Sequence, residues 1–71
     1  MGNRIRDLRV AAGWSQQDLG EQVGRSWQAI CAYETERRTP PKRILAQIEA
    51  ATLKATAKRL VELAQALERS I

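Results

Sequence analysis

Between Ser15 and Glu34 the apolar positions recur at helical spacing, with one break at Gly24. Leu19 and Val23 are four apart and make one face; Ile30 and Tyr33 are three apart and make another. Ser15 is placed to cap the first of these helices through its hydroxyl oxygen, and Asp18 sits where a carboxylate favours the positive end of the helix dipole. Gly20, beside Leu19, has no side chain and would let a second helix approach closely. Gly24 offers a residue tolerant of positive φ at the helix end, and Ser26 can cap the next helix, from Trp27 to about Glu34. The pattern predicts two short helices that share a small apolar seam.

The same reasoning extends to both ends of the chain. Asn3 can cap a helix carrying Ile5, Leu8 and Ala12 on one face, with Gly13 closing it and Arg4, Arg6 and Asp7 outside. Thr39-Pro40-Pro41 reads as a cap and helix start, because proline is tolerated in a first turn. From Lys42 onward neither glycine nor proline occurs, so the remainder is expected to be helical, with Ile44, Leu45 and Ile48 closing the core. Beyond Thr52 the register changes: Leu53, Ala57, Leu60, Ala64, Leu67 and Ile71 alternate at spacings of four and three, an a/d seam. Carried backward, that register would put Arg43, Ala46 and Ala50 on the seam, which predicts a bend or a new helix near Ala51 to Leu53. An all-α chain is expected, with a compact domain over residues 1–52 and a C-terminal helix over 53–71 that serves dimerisation. Val61 and Leu63 widen the apolar surface; the competing arrangement folds this helix back onto its own domain. Fewer than three heptads of alanine-rich seam make a weak isolated coiled coil, so contacts with the domain should contribute.

A chain of 71 residues has room for one small domain, near the size where a single core gives marginal stability. Twelve Lys and Arg against 8 Asp and Glu suit a polyanionic partner without making a polybasic tail. No apolar run approaches the ~18 residues of a membrane span and no leader-like segment follows the start, so a cytoplasmic protein is expected. One cysteine and no histidine exclude an internal disulfide, a histidine-based triad and a zinc site. No glycine-rich phosphate loop occurs either, and no cofactor, small-molecule ligand or enzymatic activity is expected. Cys31 reads as a small filler beside the seam.

Gln16 opening the first short helix, Leu19 with the small Gly20, Val23-Gly24 at the turn, Ile30, and Glu34 after it form a spaced set. Together with Leu8-Arg9 and Gly13 upstream and Pro40 downstream, this set resembles the lambda-repressor-like (Xre-type) helix-turn-helix family of DNA-binding domains, over roughly positions 3 to 52. The resemblance implies a compact lambda-repressor-like fold whose helix from Trp27 enters the DNA major groove. It also implies an ion pair between Arg9 and Glu34, where a planar guanidinium holding a carboxylate through two hydrogen bonds would fix the angle between the first and third helices. Gln16 matches a glutamine that hydrogen-bonds a DNA phosphate, and Gln28 one that reads bases in some phage repressors. Trp14 stands where the family has an aliphatic residue packed under the first two helices.

On this reading Trp27, Gln28 and Ala32 face the bases: Gln28 toward an adenine edge, Trp27 toward a thymine methyl or the sugar-phosphate chain, Ala32 through its methyl group. Arg25, Ser26, Thr35, Arg37, Arg38, Lys42 and Arg43 join Gln16 on the phosphates. Two departures stand out. Arg25 occupies a commonly apolar place, and Thr35-Glu36 replaces the usual Asn-Gly, where glycine would suit a left-handed backbone. The expected function is a DNA-binding transcriptional regulator, a repressor that grips a palindromic operator as a homodimer. The alternative is an antitoxin-like or adaptor protein whose C-terminal helix binds another protein, with DNA binding secondary.

Overall fold

The computed structural model describes residues 3–70, and the expected contribution of Ile71 to the seam lies outside them. Four helices follow one another: α1 (Arg4–Ala12), α2 (Gln16–Val23), α3 (Trp27–Glu34) and α4 (Lys42–Ser70). Local chemistry sets the first three starts. The Asn3 side-chain oxygen accepts from the Ile5 and Arg6 N–H groups. Ser15 Oγ accepts from the Asp18 N–H at 3.0 Å while the Asp18 carboxylate accepts from the Ser15 N–H at 2.9 Å, a reciprocal capping box. Ser26 Oγ accepts from the Ala29 N–H. Helices α1 and α2 end on left-handed residues, Gly13 at φ 77° and Gly24 at φ 69°.

The end of α3 is different. Glu36 takes φ 62°, so a glutamate adopts the left-handed backbone itself. The Arg37 and Arg38 N–H groups then both point back to the Ala32 carbonyl, at 2.9 and 3.3 Å, and satisfy the helix end. A side chain held in that region is destabilising, whereas glycine there is not. Glu36→Gly should therefore raise the free energy of unfolding by about 0.5–1 kcal/mol, after the extra freedom glycine gives the unfolded chain is subtracted. A urea titration at unchanged m value measures this; a lower midpoint would mean that the Glu36 side chain holds the loop.

Two expectations about α4 need correction. Thr39 is not its cap and the prolines are not its first turn: the first helical hydrogen bond runs from the Leu45 N–H to the Pro41 carbonyl at 2.9 Å, so Pro41 stands at the cap position and Lys42 is the first helical residue. Nor does a new helix start near Ala51 to Leu53, because α4 continues unbroken for 29 residues. The register change marks two stripes on one cylinder. Ile44, Ile48 and Thr52 are buried against the domain, whereas Leu53 points to solvent. The fully buried Thr52 hydroxyl donates to the Ile48 carbonyl at 2.7 Å, so the polar residue at the changeover is satisfied without interrupting the helix.

The core consists of Ile5, Leu19, Val23, Ile30, Tyr33, Ile44 and Ile48, with Trp14, Ala29 and Leu45 packed at its edge. Trp14 also borders a groove lined by Gln22, near the end of α2, and by Gln47, Ala51 and Lys54 of α4. Farther along α4, the Arg59 guanidinium donates to the Ala11 carbonyl at 2.6 Å, placing a cation at the negative end of α1. That is where α4 leaves the domain. Every described residue after Arg59 is exposed, Leu60 at 62% and Leu67 at 66%, so the helix does not fold back. The molecule is accordingly elongated, 47 × 23 × 18 Å.

Candidate nucleic-acid interface

Helix α3 is held from behind by an ion pair. Arg9, on α1, donates through Nε to Glu34 Oε2 at 2.7 Å and through Nη2 to Glu34 Oε1 at 3.1 Å. Its remaining terminal nitrogen, Nη1, donates to the Trp14 carbonyl at 2.8 Å. The two side chains retain only 14% and 4% of their exposure. A fork-to-fork pair of this geometry fixes direction as well as distance, so the last turn of α3 is set relative to α1. Gln16 completes the cluster, its Nε2 donating to Glu34 Oε1 at 3.3 Å. Gln16 therefore sits beside the ion pair with its amide nitrogen engaged; as one edge of the cluster it is half-buried.

A second tie comes from Asn3. While its oxygen caps α1, its Nδ2 donates to the Tyr33 carbonyl at 2.9 Å, so one amide joins the start of α1 to the end of α3. Sequence reasoning found the cap and missed the tie. To Arg59, at the end of α1, it gave no role at all. Both contacts link a side chain to a distant backbone carbonyl, and the side-chain spacing carries no trace of them.

The opposite face of α3 is open. Trp27, half-exposed at 50%, and Gln28 project to solvent in the first turn, while Ala32 and Cys31 are partly covered. Gly20 makes this placement possible: a Cβ on it would lie 2.4 Å from the Arg25 carbonyl oxygen, so the turn packs directly on the α2 backbone. The Arg25 N–H also donates to the Gly20 carbonyl at 2.8 Å.

Basic residues lie in the segments on either side of α3. Arg25, from the turn, and Arg38, from the loop after α3, line one shallow groove with Ala29, Tyr33, Thr39 and Pro41. Arg37, Lys42 and Arg43 are exposed in the same loop and at the start of α4. Besides Gln16, two more of the expected phosphate ligands are already occupied in part. The Ser26 hydroxyl oxygen accepts within its own helix, leaving its proton to donate outward. The Thr35 hydroxyl instead donates to the Cys31 carbonyl at 2.9 Å, so its proton is turned inward and the group serves as a helix cap. Among the described residues, no cluster of three or more His, Cys, Asp or Glu side chains could hold a metal ion, and no helix is long and apolar enough to cross a membrane.

Two short helices joined at a glycine turn, with the second presented outward and braced by an arginine–glutamate pair, define a helix-turn-helix. Residues 1–70 match the family model described as a helix-turn-helix domain, and the chain belongs to that family, which is of the Xre or lambda-repressor-like type. Searches among curated proteins and among solved structures find no match. Membership indicates a DNA-binding regulator with DNA as its partner, in a family that is typically non-enzymatic.

Proposed function

We propose that the protein is a sequence-specific transcriptional repressor that binds a palindromic operator as a homodimer. The observation that carries this reading is the open first turn of α3, with Trp27 and Gln28 outward and Arg25 and Arg38 beside it. Inserted into the major groove, Gln28 offers a donor and an acceptor to the N6 and N7 edge of adenine, and Trp27 and Ala32 provide apolar contact. Arg25, Ser26, Arg37, Arg38, Lys42 and Arg43 then meet the phosphates, as does Gln16 if its amide turns from Glu34. A twofold pair would set two α3 helices about one duplex turn apart, ~34 Å, or a multiple of it. Dimerisation belongs to the exposed half of α4, through Leu53, Ala57, Leu60, Ala64 and Leu67.

Selection of sites from random duplexes, followed by salt titration of the winning sequence, tests the reading. Gln28→Ala should relax preference at one base pair by about 1–3 kcal/mol and leave the salt slope unchanged. Arg38→Ala should weaken all sequences alike and lower the salt slope by about 1. Equal weak binding to every duplex by the parent protein would sink the proposal. The exposed apolar half of α4 favours one other reading, an adaptor that grips a different protein, and a protein that stays monomeric when concentrated would support it.

A further inference from the structure

The projecting half of α4 carries more than an apolar stripe. In heptad terms Leu53, Leu60 and Leu67 take the d positions, and Ala57 and Ala64 the a positions. In a parallel pair every residue meets its own copy, so leucine layers alternate with alanine layers too small to fill the space between helices. In an antiparallel pair a faces d. Ala57 then meets Leu67 of the second copy and Leu60 meets its Ala64, one large and one small residue in each layer, which fills the seam evenly.

The flanking positions discriminate in the same direction. Lys54, Val61 and Glu68 occupy e, and Thr56, Leu63 and Ser70 occupy g. Antiparallel helices bring e to e and g to g. About a twofold axis beside Glu62, Lys54 meets Glu68 of the second copy on both sides of the centre, Val61 and Leu63 each meet their own copies, and Thr56 meets Ser70. Parallel pairing would instead set Leu63 against Glu68 and Thr56 against Val61. Among the described residues, neither Lys54 nor Glu68 has an ion-pair partner within its own chain. The seam also lies roughly a third of a turn around α4 from the stripe of Ile48, Thr52 and Arg59 that faces the domain, so a second helix meets it without displacing the domain.

We infer that the exposed half of α4 pairs with a second copy of this chain in antiparallel orientation, centred beside Glu62. The inference rests on the homodimer reading and adds its geometry. Ten residues of helix separate Thr52 from the centre, so the two Thr52 residues stand about 30 Å apart along the pair, the same scale as the ~34 Å turn of duplex DNA.

Charge reversal tests the orientation. By sedimentation equilibrium, Lys54→Glu and Glu68→Lys should each weaken the dimer about tenfold, since each turns two attractive contacts repulsive. The double variant K54E/E68K should return to within about twofold of the parent. Cross-linking gives an independent reading in a Cys31→Ser background. Leu67→Cys alone should not form a disulfide dimer on mild oxidation, whereas a mixture of Ala57→Cys and Leu67→Cys chains should. A double variant weaker than either single one, or self-linking through Cys at position 67, overturns the antiparallel arrangement and leaves the homodimer standing. A parent protein that remains monomeric throughout the concentration range of the centrifuge overturns both.

Discussion

Replacing Glu34 with alanine should lower the free energy of unfolding by about 3 kcal/mol, because the Arg9 guanidinium stays buried with two of its hydrogen bonds gone. The Trp14 carbonyl would be its remaining partner. For a domain whose single core supplies only about 3–5 kcal/mol, that loss leaves much of the population unfolded at room temperature. Urea titration followed through the half-buried Trp14 reads it directly. The paired replacement Arg9→Met with Glu34→Leu should restore most of the stability, since apolar groups of similar volume need no partners. It should not restore base discrimination, because packing alone does not set the α1–α3 angle as a two-pronged bond does. A loss below about 1 kcal/mol for Glu34→Ala would place the pair in the class of weak surface bridges and remove it as the brace of α3.

Gly20→Ala should be nearly as damaging for an unrelated reason. Alanine is the better helix former by about 1 kcal/mol, yet its Cβ would sit 2.4 Å from a backbone oxygen that cannot swing aside. Forcing the turn away from α2 should give a net loss of about 2–3 kcal/mol, and a lower melting temperature by roughly 10–20 °C for a chain of this size. Gly24→Ala separates space from torsion. Nothing lies within 4 Å of a Cβ at Gly24, so only its positive φ opposes the change, at about 1–2 kcal/mol. Calorimetry of the two variants decides: if Gly24→Ala proved the worse, close approach would not be what Gly20 provides.

The parts of this molecule that were legible in its sequence are those decided within a few residues. The capping box of Ser15 and Asp18, the caps at Asn3 and Ser26, and the glycine stops at positions 13 and 24 all arise from short-range bonds, and the helix borders follow them. The seam residues Leu19, Val23, Ile30 and Tyr33 were equally readable because burial tracks helical period. Helix continuity is less legible. A changed register at Thr52 looks like a break when one face is assumed per helix, but a long helix can hold two faces against two surroundings. Apart from the Arg9–Glu34 pair, which the family resemblance implied, contacts between distant elements left no sequence signal: the Asn3 amide on the Tyr33 carbonyl, Arg59 on the Ala11 carbonyl, and Gln16 turned toward Glu34. The loop after α3 fell between these cases. Its departure from Asn-Gly was visible, but whether Glu36 would accept the left-handed backbone depended on the bonds from Arg37 and Arg38 to Ala32.

The contact between Arg59 and Ala11 marks where α4 parts from its own domain, and its dynamics should divide there as well. On the domain side, amide protons are shielded by a folded core and open only with it; beyond Arg59 about eleven helical residues have no packing from their own domain and should fray from the free end. Deuterium uptake in dilute protein should therefore be slow up to that residue and fast after it. Concentrating the sample should slow uptake in the distal stretch alone, which would make the tail of this helix a gauge of self-association readable residue by residue.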